Sequence, residues 1–307
     1  MDFATSFTST RIIEAITAPD KRERTPPRMH ITFTSGSNRW RIDLSRPTTL
    51  AIPQTFDRDQ VNHFGVSKAW REPIRAGSFV GDTRAGGSCN VERISVIPHC
   101  NGTHTEHVGH IVDEVPGHPL SAVPPHLVAR LVSLPTVAGG EALETYRPPL
   151  AAADRVITGT SLQEAWDRGP SIDLAARALI LRTVPNDPRK TTWQYGSDVE
   201  PPFLTIEAVD WIVRRGIEHL LVDFPSLDRT RDEGLLTNHH RFWKVPEGTH
   251  RLSNDSRLGC TITELIFVPD GVPDGWYGLN LQFPDWATDA VPSRPVLFPI
   301  EADDSRD

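Results

Sequence analysis

The chain has 307 residues, 38% hydrophobic and 23% charged, the balance of a globular protein large enough to bury a core without disulfides. Its formal net charge of −8 argues against a general nucleic-acid binder, which carries a basic face, and no apolar stretch reaches the length of a membrane span. Three scattered cysteines (Cys89, Cys100 and Cys260) and a start without a signal-peptide pattern predict a soluble protein of a reducing cytoplasm.

In chain order, residues 1–35 are polar and read as a surface extension, with a short helix near Arg11–Thr17 and a basic, proline-containing run at Lys21–Arg28. A strand is predicted at Arg39–Leu44, followed by a long irregular stretch from Pro47 to Gly87. Prolines, 27 in all and spread along the chain, favour short strands and ordered loops over long helices. Val91–Ile97 is rich in β-branched residues and reads as a strand, as does Leu127–Leu134. Ser161 and Glu164 have the spacing of a capping box at a helix start. A strand fits Ala178–Thr183. Ile206, Val209, Ile212 and Val213 recur at helical spacing and predict a helix over Thr205–Arg215, closed by Gly216. His219–Asp223, Thr261–Val268 and Tyr277–Phe283 read as further strands. With no repeat and no boundary, residues 36–307 form one α/β domain.

The segment His99-Cys100-Asn101-Gly102-Thr103-His104-Thr105-Glu106-His107-Val108-Gly109-His110 holds four of the chain's twelve histidines. Even spreading would put about half a histidine there. In extended backbone, alternate residues share a face, so His104, Glu106 and His110 point one way. Two imidazoles and a carboxylate converging there suit zinc or manganese. Cys100 is in phase with that face and His99 one residue out. A bulge or turn at Asn101-Gly102 would bring His99 inward, so either can complete the ligand set, with His99 preferred. His107 points away and is a structural or a rim residue. His30, His63, His118, His126, His219 and His250 read as surface or hydrogen-bonded structural residues. Trp193, Trp211, Trp243, Trp276 and Trp286 read mostly as core, with Trp243 a candidate wall of an aromatic pocket.

This segment resembles the signature of the cyclase family, which includes bacterial kynurenine formamidases and isatin hydrolases: His-X-Gly-Thr-His-X-Asp-X-Pro-X-His. Gly102-Thr103-His104 and His110 match. Glu106 replaces aspartate, Val108 replaces proline, and one extra residue separates His99 from Gly102. Further similar pieces follow the family's order: Ile42-Asp43-Leu44-Ser45, Leu221 to Asp228, Asn238-His239 with Phe242-Trp243, Ile262-Thr263-Glu264-Leu265, and Pro292 to Val296. The resemblance covers residues 40 to 300.

Carried over by position, the resemblance implies one metal on His99 (or Cys100), His104 and Glu106. It implies a second on Glu106, His239 (or His240) and Glu264, with His110 as general acid/base. Zinc is the first choice and manganese the second, as one or two ions. Asp223, Ser226 and Asp228 are expected to shape a turn beneath the site. The fold implied is an α/β, swivelling β/β/α arrangement, a barrel-like mixed sheet with helices outside, in a homodimer or homotetramer. The activity implied is amide hydrolysis, on an N-formyl aryl amide such as N-formylkynurenine or on a cyclic amide. Polyketide-cyclase-like or dehydratase/lyase chemistry, or noncatalytic metal binding, are the alternatives. Residues 46–87 and 244–260 are expected to form loops near the site that set substrate choice.

Overall fold

The computed structural model of the chain describes residues 29–303 except 170, 171 and 173; the expected helix near Arg11–Thr17 and the basic run Lys21–Arg28 lie outside these residues. Eleven strands make one mixed sheet: β1 (His30–Ser35), β2 (Asn38–Asp43), β3 (Thr48–Thr49), β4 (His104–His107), β5 (His126–Pro135), β6 (Ala178–Val184), β7 (His219–Val222), β8 (Thr261–Glu264), β9 (Gly275–Asn280), β10 (Ala290–Pro292) and β11 (Val296–Ala302). Their order is β1-β2-β11-β9-β5-β6-β7-β8-β4-β10, with β3 also on β11. β5 through β8 run parallel and the other pairings are antiparallel.

The central strands are apolar on both faces because both faces are covered. Val132, Leu134, Leu179, Leu181, Leu220 and Val222 meet the helices in one core, while Leu127, Ala129, Leu131, Ala178, Ile180 and Leu221 pack in another with Leu279 and Leu297. These strands therefore stand out in the sequence as continuous apolar runs. Each fully buried aliphatic side chain contributes about 1.5–3 kcal/mol.

Three helices, α2 (Gly159–Asp167), α3 (Ile206–Arg214) and α4 (Thr237–Trp243), cover the first core; α1 (Pro98–Asn101) is a single turn. α3 agrees with its prediction: Thr205 caps its start by accepting from Ala208 N–H, and Gly216 follows its end with φ +74°. α2 begins earlier than the Ser161–Glu164 pattern predicts. Thr158 is the cap, accepting from Ser161 N–H, and Glu144 takes the amides of Gly159 and Thr160. A carboxylate from elsewhere in the chain therefore does what the local glutamate was expected to do.

Other departures are local. His30–Ser35, within the predicted extension, is a largely exposed edge strand paired with β2. The Val91–Ile97 strand is shorter, Glu92–Ser95, and pairs with Trp70–Pro73 in a separate ribbon, not in the main sheet. The strand predicted at Thr261–Val268 stops at Glu264, because Leu265 turns into the left-handed region at φ +54°. Among the described residues the sheet does not close, so the barrel-like arrangement is not seen. β10 is a three-residue edge strand ending on Pro292, which has no N–H to extend the ladder. No helix among the described residues is long and apolar enough to cross a membrane.

Candidate metal centre

β4 sits between β8 and β10, and its register builds the centre. His104 lies opposite Glu264 and Glu106 opposite Ile262 on β8, while Glu106 lies opposite Ala290 on β10. His104 and Glu106 share a face and are fully buried. Thr105 faces the other way, bonded to Thr263 and Ser293 hydroxyls. His107 also points away: its Nδ1 accepts from Gly109 N–H and its Nε2 lies 3.2 Å from the Thr288 carbonyl, a structural placement.

His99 arrives by a different device from the bulge predicted at Asn101-Gly102. Pro98 opens a single helical turn, Asn101 Oδ1 accepts from Ile97 N–H to hold it, and Gly102 ends it in extended backbone. His110 comes in on a 3-10 turn over Val108–His110, so it joins the cluster without the strict alternation that pointed to it. α4 supplies His239.

Glu106 is the hub. His99 Nδ1 is 3.1 Å and His110 Nδ1 3.9 Å from its Oε2, and His239 Nε2 is 3.1 Å from its Oε1. Glu264 Oε2 lies 3.4 Å from His104 Nε2, and its Oε1 lies 3.7 Å from His239 Nε2. Two sets of ligand atoms, His99/Glu106/His110 and His104/Glu106/Glu264, each fall within 4.8 Å of one another. The partition differs from the one the family resemblance implies: His104 groups with Glu264 and His110 with His99. Glu106 is shared, as expected for a bridging carboxylate.

Cys100 is buried but joins neither set, and burial with the nearby Glu264 charge pushes its thiol up to about 11. His240 faces the Val245 carbonyl at 3.3 Å, away from Glu106. Trp243 is not a pocket wall. It is fully buried behind the His239 ring, with its indole N–H on the Cys260 carbonyl. None of His30, His63, His118, His126, His219 and His250 enters a ligand set, and His63 and His219 are buried, not surface, residues.

The electrostatics follow from burial and pairing. Burial raises the Glu106 carboxyl, but the facing charges and hydrogen bonds of His110, His239 and His99 hold it well below the usual carboxylate range. Burial and the Glu106 charge raise the Glu264 carboxyl. Burial opposes a charge on His99, yet Asp289 and Glu106 lift it to about 10. His239 is likewise raised by Asp228 and Glu106 against its burial. Two adjacent buried carboxylates cannot both ionise cheaply without a positive charge between them.

Two acids that sequence reasoning did not assign complete the surroundings. Asp228, expected only to shape a turn, accepts from the amides of Asn238 and His239 and holds His239 Nδ1 at 2.5 Å, while Tyr146 donates to its other oxygen. Asp289 Oδ2 lies 2.8 Å from His99 Nε2 and 3.3 Å from His110 Nδ1. No local pattern marks Asp289.

The donors fit a divalent cation. Among the described residues, His104 Nε2 and Glu106 Oε2 are buried and make no hydrogen bond of good geometry, although Glu264 and His99 face them at 3.4 and 3.1 Å. Buried polar atoms are almost always well paired, so two poorly paired ones aimed into one imidazole–carboxylate cluster suit a ligand set. Beside the centre, Ile52, Phe56, Ile94 and Trp286 line an apolar cavity of about 510 Å³ whose wall includes Pro98 and Thr103, the chain neighbours of His99 and His104. The 46–87 loop thus contributes to it, as predicted. From the 244–260 loop, His250, Arg251 and Leu252 line a second cavity of about 600 Å³ with Asp113.

Comparison with known proteins places this geometry. A family described as "Putative cyclase" matches residues 42–229. The fold is similar to isatin hydrolase A from Labrenzia aggregata bound to benzyl benzoate, at TM-score 0.52 and 17% identity over 82% of this chain and 93% of that one. Isatin hydrolase A from Ralstonia solanacearum gives TM-score 0.52 at 16% identity, over 82% and 91%. A structure of a novel cyclase gives 0.53 at 15%, over 86% and 89%. At these identities the likeness is one of fold.

Proposed function

The chain belongs to the cyclase family, and on that premise we propose that it is a metal-dependent hydrolase of an amide bond. The substrate is an N-formyl aryl amide such as N-formylkynurenine, or a cyclic amide; the fold shared with isatin hydrolases supports the class. The observation that carries the reading is the meeting of His99, His104, Glu106, His239 and Glu264 in one cluster around a shared carboxylate, with two buried atoms there lacking a well-formed hydrogen bond among the described residues. Those five residues would hold zinc, or manganese, as one or two ions.

When bound, the cation supplies Lewis-acid polarisation of a carbonyl and lowers the pKa of water to about 7. The chain's own residues do the rest. Glu106 and Glu264 bring the negative charge that retains the cation in a buried site. Asp228 fixes the His239 ring with Nε2 toward Glu106. His110, partly open to solvent, is placed to pass a proton to the leaving nitrogen. The apolar cavity walls off water and accepts an uncharged ring.

The test is chelation and repletion. Purified protein stripped with a chelator should lose hydrolysis of formyl anilides or cyclic amides and regain it with zinc or manganese. A stably bound metal with no turnover of either class, or turnover that survives chelation, would overturn the reading.

A further inference from the structure

The mechanism above leaves Asp289 unused. Its backbone carbonyl accepts from His107 N–H, and the next residue, Ala290, lies opposite Glu106, so pairing of β10 with β4 fixes where this carboxylate stands. It belongs to neither set of converging ligand atoms. Its Oδ2 instead reaches the outer nitrogen of His99, Nε2, and Nδ1 of His110.

A neutral imidazole has one donor nitrogen and one acceptor nitrogen, so an acceptor on one side fixes the lone pair on the other. Three rings of the centre obey this rule. His104 Nδ1 meets the Gly102 carbonyl at 3.0 Å, leaving Nε2 toward Glu264. His239 Nδ1 meets Asp228, leaving Nε2 toward Glu106 and Glu264. His99 Nε2 meets Asp289, leaving Nδ1 toward Glu106. In the fourth ring, His110, Nδ1 meets Asp289 at 3.3 Å and lies 3.9 Å from Glu106 Oε2, while Nε2 has no hydrogen-bond partner among the described residues.

We propose that Asp289 is a positioning residue for both jobs of the site. It takes the Nε2–H of His99, so that His99 meets the cation through Nδ1, and the Nδ1–H of His110, so that His110 keeps Nε2 for proton transfer and is not a ligand. The inference rests on the metal-dependent reading of the site. One half-buried carboxylate thereby couples ligand orientation to acid/base orientation.

The experiment compares the full chain with Asp289→Ala and Asp289→Glu. Zinc affinity, measured by competition with a chelating dye, should fall about 10–100-fold in Asp289→Ala, the usual effect of losing a carboxylate behind a ligating histidine. Asp289→Glu should recover part of it, and kcat should fall in Asp289→Ala with KM little changed. Nitrogen-15 spectra of zinc-loaded wild type with labelled histidine should show His99 bound through Nδ1 and His110 protonated at Nδ1. Wild-type affinity in Asp289→Ala, or His99 bound through Nε2 or unbound, would overturn the proposal. If Asp289→Ala fails to fold by circular dichroism, the wild-type spectra decide alone. A wild type that takes up no zinc or manganese removes the hydrolase reading and this one together; tight zinc binding with an indifferent Asp289→Ala removes only this one.

Discussion

At the scale of single residues, the proposed function separates groups that would hold a cation from one that would move a proton. His110→Ala should keep its metal by elemental analysis while turnover falls about 10²–10⁴-fold, the range for loss of a general acid/base. Loss of metal together with turnover would make His110 a ligand. Glu106→Gln should lose bound metal, because Glu106 is common to both ligand sets and His99 and His239 each lie 3.1 Å from it; undiminished metal content would remove it as the hub. Away from the centre, His219 is buried, with Nδ1 near Thr261 Oγ1 and Nε2 3.9 Å from Glu218 Oε2. Burial lowers it to about 4, with Arg177 and Arg257 adding to the effect and Glu218 opposing it. The unfolded chain, with an ordinary value near 6.5, then binds more protons than the folded one. This contribution to stability is present above about pH 6.5 and is lost as pH falls toward 4. Its size is roughly 3 kcal/mol. Urea midpoints from pH 7 to 4 should fall less steeply in His219→Asn than in wild type; equal slopes would contradict the assignment.

At the scale of elements, strong periodicity was legible and long-range delivery was not. β5, β6, β7 and α3 were readable because each buries a regular face. The α3 cap is testable: Thr205 Oγ1 accepts from Ala208 N–H and donates to Glu144. Thr205→Ala should cost about 1–2 kcal/mol in chemical denaturation, and an unchanged midpoint would show that other groups cap α3. His104, Glu106 and His110 were visible from spacing, and His239 and Glu264 only through the resemblance to the cyclase family, because nothing local ties α4 or β8 to β4. Asp289 was invisible, since only the pairing of β10 with β4 brings it to His99 and His110. The helical turn that aims His99 was missed because Pro98 and Asn101 act through backbone geometry, which alternation does not describe. Leu265 shows the same limit: its left-handed backbone ends β8 just after Glu264, a conformation costing about 1–2 kcal/mol that leucine gives no hint of adopting.

At the scale of the whole molecule, the proposed cation would join parts that are far apart in sequence: α1 and β4 near residue 100, α4, and β8. Binding to the folded chain alone stabilises it by about 2.7 kcal/mol at a hundred times the dissociation constant. Thermal unfolding should therefore shift upward with zinc and downward on chelation, and a midpoint indifferent to both would contradict a cation at this junction. The account stands or falls on where that ion sits. Anomalous diffraction at the zinc edge from crystals of the zinc-loaded protein tests this most directly. The predicted result is a peak within bonding distance of Glu106, flanked by His104, His239 and Glu264 on one side or His99 on the other. Zinc held elsewhere in the molecule, with these residues still bonded only to one another, would contradict it.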